Sequence, residues 1–437
     1  MVKAIDRKLL RDLGHLKGQI VTVALVVAAG LSGLVGLYST LYSLQTSMQD
    51  YYERTRFGEV FVRLVRAPTV LQDRIEGIEG VQSVYTRVVE PVTVPMPQML
   101  EPATGQIVSV PEDRQPPMNG LAITRGRYIE PGGLDEVIVL DSFAEAHGLE
   151  PGDSLEVVMG GGLRRLHVVG FAMSPEFVFV GRPGEFFPDD RTVTVLWMAE
   201  EVVEAAFQMS GAFNDVVLQL QPDAREAAVI AELDTMLEGY GGLGAHGRSD
   251  HSSNSLVEDE LAQLQILGMT IPIGFLAIAA FLLNIVLSRL VQLQRPEIAT
   301  LKAVGYGQRQ IAGHFFKFVL VILVLGTVLG IVFGAFIGQG MAAQYTDFFR
   351  FPDFVFQVDM RAVVAGVIVS LIAGLAGAFV ALYRVARLPP AEAMQPRAPA
   401  VYRRTVIERI GLYPLLSGSM RMIVRELERK PLRFVFS

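Results

Sequence analysis

The sequence is poor in residues that could carry out chemistry. It has six histidines and no cysteine among 437 residues, which excludes thiol catalysis, disulfides and cysteine-metal sites. It also lacks the motifs of phosphate-binding loops, zinc hydrolases and serine hydrolases, G-x-x-x-x-G-K-[ST], H-E-x-x-H and G-x-S-x-G. His246 and His251 lie in a Gly/Ser-rich linker, where solvated loop residues are expected. We therefore predict no catalytic, cofactor-binding or metal-binding residue in this chain.

The residues best suited to act on a partner lie in a short polar segment, residues 292–314. Pro296 and Glu297 predict a helix start, since proline suits the first turn and an acidic side chain complements the helix dipole there. Gly305 predicts the end of that helix. The segment is too short and too polar to cross a bilayer. The basic side chains that it offers to a partner are those of Lys302 and Arg309.

Four apolar stretches are long enough to cross a bilayer, which takes about 20 helical residues. They are residues 20–44, residues 266–288 within the predicted stalk and second span (255–291), residues 315–341 and residues 361–384. The first follows a basic segment, but its apolar run is too long for a signal peptide. None carries a central charged residue, which argues against an ion-coupled transporter.

The charges are unevenly distributed along the chain. Residues 45–263 hold 15 Lys and Arg against 35 Asp and Glu, whereas the rest holds 23 against 10. Short cytoplasmic segments of membrane proteins are rich in Lys and Arg. We therefore predict that residues 1–19, 292–314 and 385–420 are cytoplasmic and that residues 45–254 and 342–360 lie outside a bacterial plasma membrane. Because the basic residues adjoin apolar spans, no nucleic-acid partner is predicted.

Residues 45–254 are long enough for a domain of their own and mix strand and helix patterns. The predicted strands are 61–65, 81–94, 155–159, 163–169 and 216–220, and the predicted helices are 70–75 and 225–237. Ser255 and Glu258 form a capping box, which predicts a stalk helix that begins outside the bilayer. The predicted fold class is a multi-pass α-helical membrane protein with four transmembrane helices and a large α+β extracytoplasmic domain inserted between the first two.

Small residues recur every four positions in the third span, at Gly326, Gly330, Gly334 and Gly338. Such a face lets two helices approach closely in lipid. We predict that it packs against a neighbouring helix; a lining for a lateral opening to lipid is the alternative.

The polar segment resembles the E-I-G-x-L-[RK]-A-[LV]-G-[AF]-x-x-x-x-I signature of FtsX-like permeases. The matching residues are Glu297, Ile298, Leu301, Lys302, Ala303, Val304, Gly305 and Ile311; Pro296, Ala299 and Tyr306 depart from the signature. The resemblance implies that this segment contacts a separate ATPase subunit, which would hold the ATP and magnesium. The residues implied in that contact are Glu297, Ile298, Leu301, Lys302, Ala303, Val304, Gly305, Tyr306 and Arg309.

A second motif follows the fourth span and is similar to the family ending A-x-R-A-[AS]-R-x-x-P-[AV]-E-A-[LM]-R. It comprises Arg384, Arg387, Pro389, Glu392 and Met394. Residues 126–170 also resemble the periplasmic domain of MacB-type permeases in the order of their glycines and their Asp-Glu-Val strand. Finally, residues 10–13 recur in type at 424–427, so residues 421–437 resemble the start of a second repeat; a basic tail is the alternative.

The resemblance implies the permease subunit of an ABC transporter, with no enzymatic activity of its own. It implies a lipid, lipoprotein, peptide or hydrophobic substrate. The implied partners are a dimeric cytoplasmic ABC ATPase, membrane lipid, a periplasmic adaptor protein and a second permease repeat or protomer. Two alternatives stay open. One is an ATPase-driven actuator of an extracytoplasmic enzyme such as a cell-wall hydrolase; the other is an ATP-independent four-span receptor.

Overall fold

The computed structural model describes residues 4–97, 99–181 and 188–387. Four of its helices are long and apolar enough to cross a membrane. They are α2 (Lys17–Thr55), α7 (Ser252–Leu293), α9 (Gln308–Phe348) and α10 (Met360–Arg387). The shorter helices are α1 (Ala4–His15), α3 (Gln72–Glu76), α4 (Asp141–His147), α5 (Glu200–Ala206), α6 (Glu226–Leu237) and α8 (Arg295–Ala303). The four predicted apolar helices are confirmed.

Helix α2 is the most enclosed of the four. In its most apolar 18-residue window 56% of the residues are buried, against 28% in each of the other three helices. Small residues allow this, because Gly36, Ser39 and Thr40 leave room for neighbouring backbone. The other three helices keep apolar side chains exposed, as helices in contact with lipid do.

The strands follow α2 and precede α7 in chain order, and with their short helices they form the α+β part (residues 57–251). They are β1 (Val60–Pro68), β2 (Val81–Arg87), β3 (Val89–Val94), β4 (Ala103–Val110), β5 (Ala122–Gly126), β6 (Glu136–Leu140), β7 (Ser154–Met159), β8 (Gly162–Met173), β9 (Val193–Ala199), β10 (Ala212–Leu220) and β11 (His246–Gly247). The predicted α+β composition is thus confirmed.

Two sheets make up this part. The smaller is antiparallel, in the order β11-β1-β10-β2, and its core packs against α3 and α6. The larger is mixed, in the order β5-β8-β6-β9-β4-β3-β7, with β4 parallel to β9 and β6 parallel to β8. Its core includes Phe143, Phe171 and Trp197. The hairpin predicted around the glycine triplet is confirmed, since Gly160 and Gly161 form the turn between β7 and β8 with positive φ.

A third core joins the long helices to the α+β part. Tyr51 and Tyr52 of α2 and Leu261 of α7 lie in one buried cluster with Phe57 and Phe61 of the α+β part. The rings of Tyr52 and Phe57 are 4.5 Å apart between centroids. Aromatic pairs in this range add about 0.5–1.5 kcal/mol beyond the burial of their area. Both helices are therefore attached to the α+β part by packed side chains.

Two details of the sequence interpretation are wrong. Helix α7 begins at Ser252, before the predicted capping box, and Glu258 accepts a hydrogen bond from Asn254 at 2.8 Å. The Ser255 hydroxyl donates instead to the carbonyl of Ser252 within the helix, and the Ser253 hydroxyl bonds the backbone of Phe179. In addition, the single strand predicted over 81–94 is broken at Val88 into β2 and β3, which lie in different sheets.

Candidate coupling site

The predicted polar segment contains helix α8, which begins with Pro296 in its first turn. Glu297 lies in the first turn and Lys302 in the last, so both charges complement the helix dipole. Residues 288–313 belong to a compact unit distinct from that of residues 1–287 and 314–380. The helix and the loop after it form the candidate coupling site.

A Schellman motif ends α8. The N–H of Tyr306 donates to the carbonyl of Leu301 at 3.0 Å, and the N–H of Gly305 donates to that of Lys302 at 3.1 Å. This geometry requires a left-handed residue, and Gly305 has a φ of +100°. A Cβ there would meet nothing within 4 Å. Glycine is therefore required by backbone conformation and not by lack of space.

The predicted site residues fall into two groups. Ile298 is 2% exposed and the neighbouring Ala299 is fully buried. These two side chains therefore form the packed face of the helix, which holds it in place. The residues on the open face are Glu297, Ala303, Val304, Gly305 and Arg309, and Leu301, Lys302 and Tyr306 are half-buried. Val304 is 73% exposed although it is apolar, and it lies directly before the glycine turn. Partial burial lowers the pKa of Lys302 below its usual value.

The second predicted motif is only partly within the described residues. Arg384 and Arg387 lie in the last turns of α10, but their side chains are not among those described. Pro389, Glu392 and Met394 lie outside the described residues, as does the predicted start of a second repeat.

The small-residue face of α9 packs against α2. A Cβ on Gly326 would lie 2.8 Å from that of Val27, one on Gly330 2.8 Å from that of Leu31, and one on Gly334 2.8 Å from that of Val35. Atoms of this kind do not approach so closely, so any larger residue would separate the two helices. A Cβ on Gly338 would lie 2.7 Å from the ring of Phe356. The four glycines thus face packed neighbours.

Comparison with known proteins bears on this membrane part. Residues 269–390 match the FtsX-like permease C-terminal family. This region is FtsX-like. The match contains α8 and runs from within α7 to just beyond α10. It confirms the resemblance that the residues around Glu297 indicate. No curated protein matches the chain.

Two solved structures are similar to about half of the chain. One is the periplasmic region of MacB from Actinobacillus actinomycetemcomitans, with 10% identity and a TM-score of 0.30 over 49% of this chain and 97% of that one. The other is the extracellular domain of the noncanonic ABC-type transporter YknZ from Gram-positive bacteria. Its identity is 14% and its TM-score 0.28, over 44% of this chain and 98% of that one.

The FtsX-like region makes a set of contacts that sequence reasoning missed. The short loop between α9 and α10 docks on the α+β part, where the N–H of Arg350 donates to the carbonyl of Val178 at 3.0 Å. Phe349 and Phe351 on either side are buried in the third core, and the rings of Phe351 and Tyr51 meet edge to face. The available signal was a run of phenylalanines, Phe348, Phe349 and Phe351, in the short segment between two apolar spans.

The same loop is also fixed along α2. The hydroxyl of Ser43 accepts a hydrogen bond from the N–H of Gln357 at 2.9 Å, and that of Ser39 accepts one from the N–H of Asp359 at 3.1 Å. Both serines are buried. Three segments, α2, α7 and the α9–α10 loop, therefore connect the apolar helices to the α+β part.

Proposed function

We propose that this chain is the permease subunit of an ABC transporter and that a separate ATPase subunit docks on the open face of α8. The observation that carries the proposal is the geometry of that helix within the FtsX-like region. Val304, directly after this helix, and Arg309, in the first turn of α9, are exposed to solvent on either side of a fixed glycine turn. Together they offer a partner one exposed apolar side chain and one exposed basic side chain.

The proposed orientation places α1 and α8 in the cytoplasm and the α+β part outside a bacterial plasma membrane. The charge distribution supports this, because residues 45–263 are acidic and the segments beside the apolar helices are basic. The four helices and the permease family match indicate a membrane protein.

The proposed mechanism is mechanical transmission. Helix α2 has 39 residues and α7 has 42, whereas a bilayer takes about 20, so a long part of each extends beyond the apolar core. Those extensions carry Tyr51 and Leu261 into the third core. Closure of an ATPase dimer on α8 would tilt these helices, and packed aromatic side chains would pass the motion to the α+β part. The work done there would be export or extraction of an apolar or amphipathic substrate.

Affinity purification of the tagged full-length chain after crosslinking in native membranes tests the proposal. We expect a P-loop ATPase to co-purify with the wild-type chain and the sample to hydrolyse ATP. The Lys302→Glu and Gly305→Glu variants should no longer recover this ATPase. Absence of any ATPase from the crosslinked wild-type sample would contradict the proposal and favour the four-span receptor.

A further inference from the structure

The α+β part contains a cavity of about 900 Å³ between its two sheets. Strands β1, β2 and β10 of the smaller sheet and β3, β4 and β9 of the larger one contribute to its walls, and the start of α7 closes one side. Its size lies within the range of about 300–1,000 Å³ that is typical of small-molecule sites. All its walls belong to the one compact unit of residues 1–287 and 314–380.

The walls are mainly apolar. Side chains that form them include Val89, Val108, Val195, Phe177 and Phe179. Phe177 and Phe179 are only half-buried although both are large and aromatic. Ligand sites are usually lined in this way, with apolar surface for affinity and a few polar groups for orientation.

Four charged side chains of the cavity, those of Arg63, Arg87, Glu176 and Asp215, form one cluster of ion pairs. The guanidinium of Arg87 lies 2.6 Å from Asp215 and 2.7 Å from an oxygen of Glu176, and all three side chains are at most 7% exposed. Arg63 adds a second cation 3.6 Å from Asp215. Burial alone would raise the pKa of Glu176, but Arg87 lowers it below its usual value, so the carboxylate stays ionised. Among the described residues, the two cations of this cluster face two carboxylates, so the cluster has no net positive charge to offer an anionic ligand.

Two polar atoms at the walls have no hydrogen-bond partner among the described residues. They are Oγ1 of Thr194 and Nδ1 of His251, and both are buried. Thr194 itself is 1% exposed. A buried polar atom without a partner costs about 1–3 kcal/mol, so a ligand that supplied a partner would remove that cost. Burial lowers the pKa of His251 to about 4, and the imidazole is therefore neutral at neutral pH.

We propose that this cavity binds an uncharged, mainly apolar small molecule with one hydrogen-bonding group. The apolar walls would hold its body, and the Thr194 hydroxyl would pair with its polar group. An anionic relative of the same molecule should bind more weakly, because the Arg63, Arg87, Glu176 and Asp215 cluster has no net positive charge and Asp250 adds another carboxylate to the walls. The site lies in the α+β part and does not depend on an ATPase partner.

The chain provides its own reporter for a binding experiment. Trp197 is its only tryptophan and is 1% exposed. It lies on β9, two residues from Val195, and its ring centroid is 6.0 Å from that of Phe177 in the cavity wall. A naphthylamine probe in the cavity would accept excitation energy from Trp197.

The test uses the full chain in lipid nanodiscs and two matched probes, neutral N-phenyl-1-naphthylamine and its anionic 8-sulfonate. We expect the neutral probe to quench Trp197 saturably, at a concentration at least tenfold below that needed for the sulfonate. Thr194→Val keeps the shape of the side chain and should weaken binding of the neutral probe at least threefold. Thr235→Val, on the exposed face of α6, should leave that binding unchanged.

Val180 is a half-buried residue of the cavity wall, and Val180→Phe places a larger side chain there. This variant should abolish the saturable quenching of Trp197 by the neutral probe. The emission maximum of Trp197 without probe shows that each variant is folded. Equal quenching by both probes, or unchanged quenching in Val180→Phe, would overturn the proposal. Because no ATPase is present, this result is independent of the pulldown that tests the permease assignment.

Discussion

The guanidinium of Arg350 lies 2.8 Å from the carboxylate of Asp190, and both side chains are only about a quarter exposed, at 25% and 22%. This ion pair joins the α9–α10 loop to the α+β part, next to the backbone bond between Arg350 and Val178. Arg350 also lies 3.5 Å from the carboxylate of Glu145, and aromatic packing and hydrogen bonds complete the connection.

We predict that Arg350→Ala and Asp190→Ala are energetically coupled. Removing either partner should lower the free energy of unfolding. The loss in the double variant should be smaller than the sum of the two single losses by roughly 0.5–1 kcal/mol. Thermal unfolding followed by Trp197 fluorescence measures the coupling.

The chain offers a control for this cycle. Arg54 and Asp353 are also 2.8 Å apart but are 57% and 64% exposed, so solvent should screen them and no coupling is expected. Strictly additive effects of Arg350→Ala and Asp190→Ala would show that this ion pair does not help to hold the loop.

The glycine face of α9 gives a second prediction. Gly330→Leu places a side chain where even a Cβ would lie 2.8 Å from the Cβ of Leu31, so α2 and α9 must separate. Overpacking of this kind costs about 1–3 kcal/mol. We expect a lower unfolding temperature and less monodisperse protein in size-exclusion chromatography. Gly340→Leu on the same helix is the control, since a Cβ there meets nothing within 4 Å. Equal behaviour of the two variants would refute the α2–α9 contact.

The turn after α8 gives a third prediction. Gly305→Ala forces a side chain into a left-handed conformation, at a cost of about 1–3 kcal/mol, while Gly307→Ala has no such penalty. Under the proposed function, Gly305→Ala should reduce ATPase recovery in the pulldown several-fold, and Gly307→Ala should leave it unchanged. A similar recovery in both variants would mean that the turn is not part of the docking surface.

The fourth prediction concerns pH. The pKa of His251 is lowered from 6.5 to about 4 because burial disfavours the imidazolium; Glu176 and Asp215 oppose this, and Arg87 and His246 reinforce it. The imidazole of His251 therefore binds a proton more readily in the unfolded chain than in the folded chain. As a result, the free energy of unfolding falls as the pH drops from about 6.5 towards 4. Between pH 7.5 and 5 the loss is about 2 kcal/mol.

His251→Phe should remove this dependence and keep the ring contacts with Phe57 and Phe61, whose centroids lie 5.5 Å and 4.7 Å from the imidazole. Unfolding temperatures across pH 7.5 to 5 measure the effect, and exposed His167→Gln serves as control. Glu176 titrates below this window, since its pKa is below the usual value, and does not confound it. If His251→Phe retained the wild-type slope, the acid sensitivity would have another source.

Local patterns predicted the elements whose signal is contained in a few neighbouring residues. The apolar runs marked the long helices, and the glycine triplet marked the β7–β8 turn. Pro296 and Gly305 marked both ends of α8. In each case the physical cause lies within one turn or one span, so a single sequence is sufficient.

The features that were missed depend on contacts distant in sequence. Residues 81–94 read as one strand because their apolar pattern is continuous, yet the chain changes sheets at Val88. Arg87 is bonded there to Asp215, which is 128 positions away. The docking of Arg350 on Asp190 is likewise invisible to any local pattern. His251 was interpreted as a solvated linker residue, but it is largely buried against Phe57 and Phe61.

The most direct test of the permease assignment is site-directed crosslinking in native membranes. The chain has no cysteine, so Val304→Cys and, as control, Leu134→Cys each carry a single thiol, and both positions are highly exposed, at 73% and 69%. A photoreactive maleimide at each position captures whatever lies beside it. We predict a covalent adduct with a P-loop ATPase at Val304→Cys and none at Leu134→Cys. No ATPase adduct at Val304→Cys, or one at Leu134→Cys, would contradict the permease assignment.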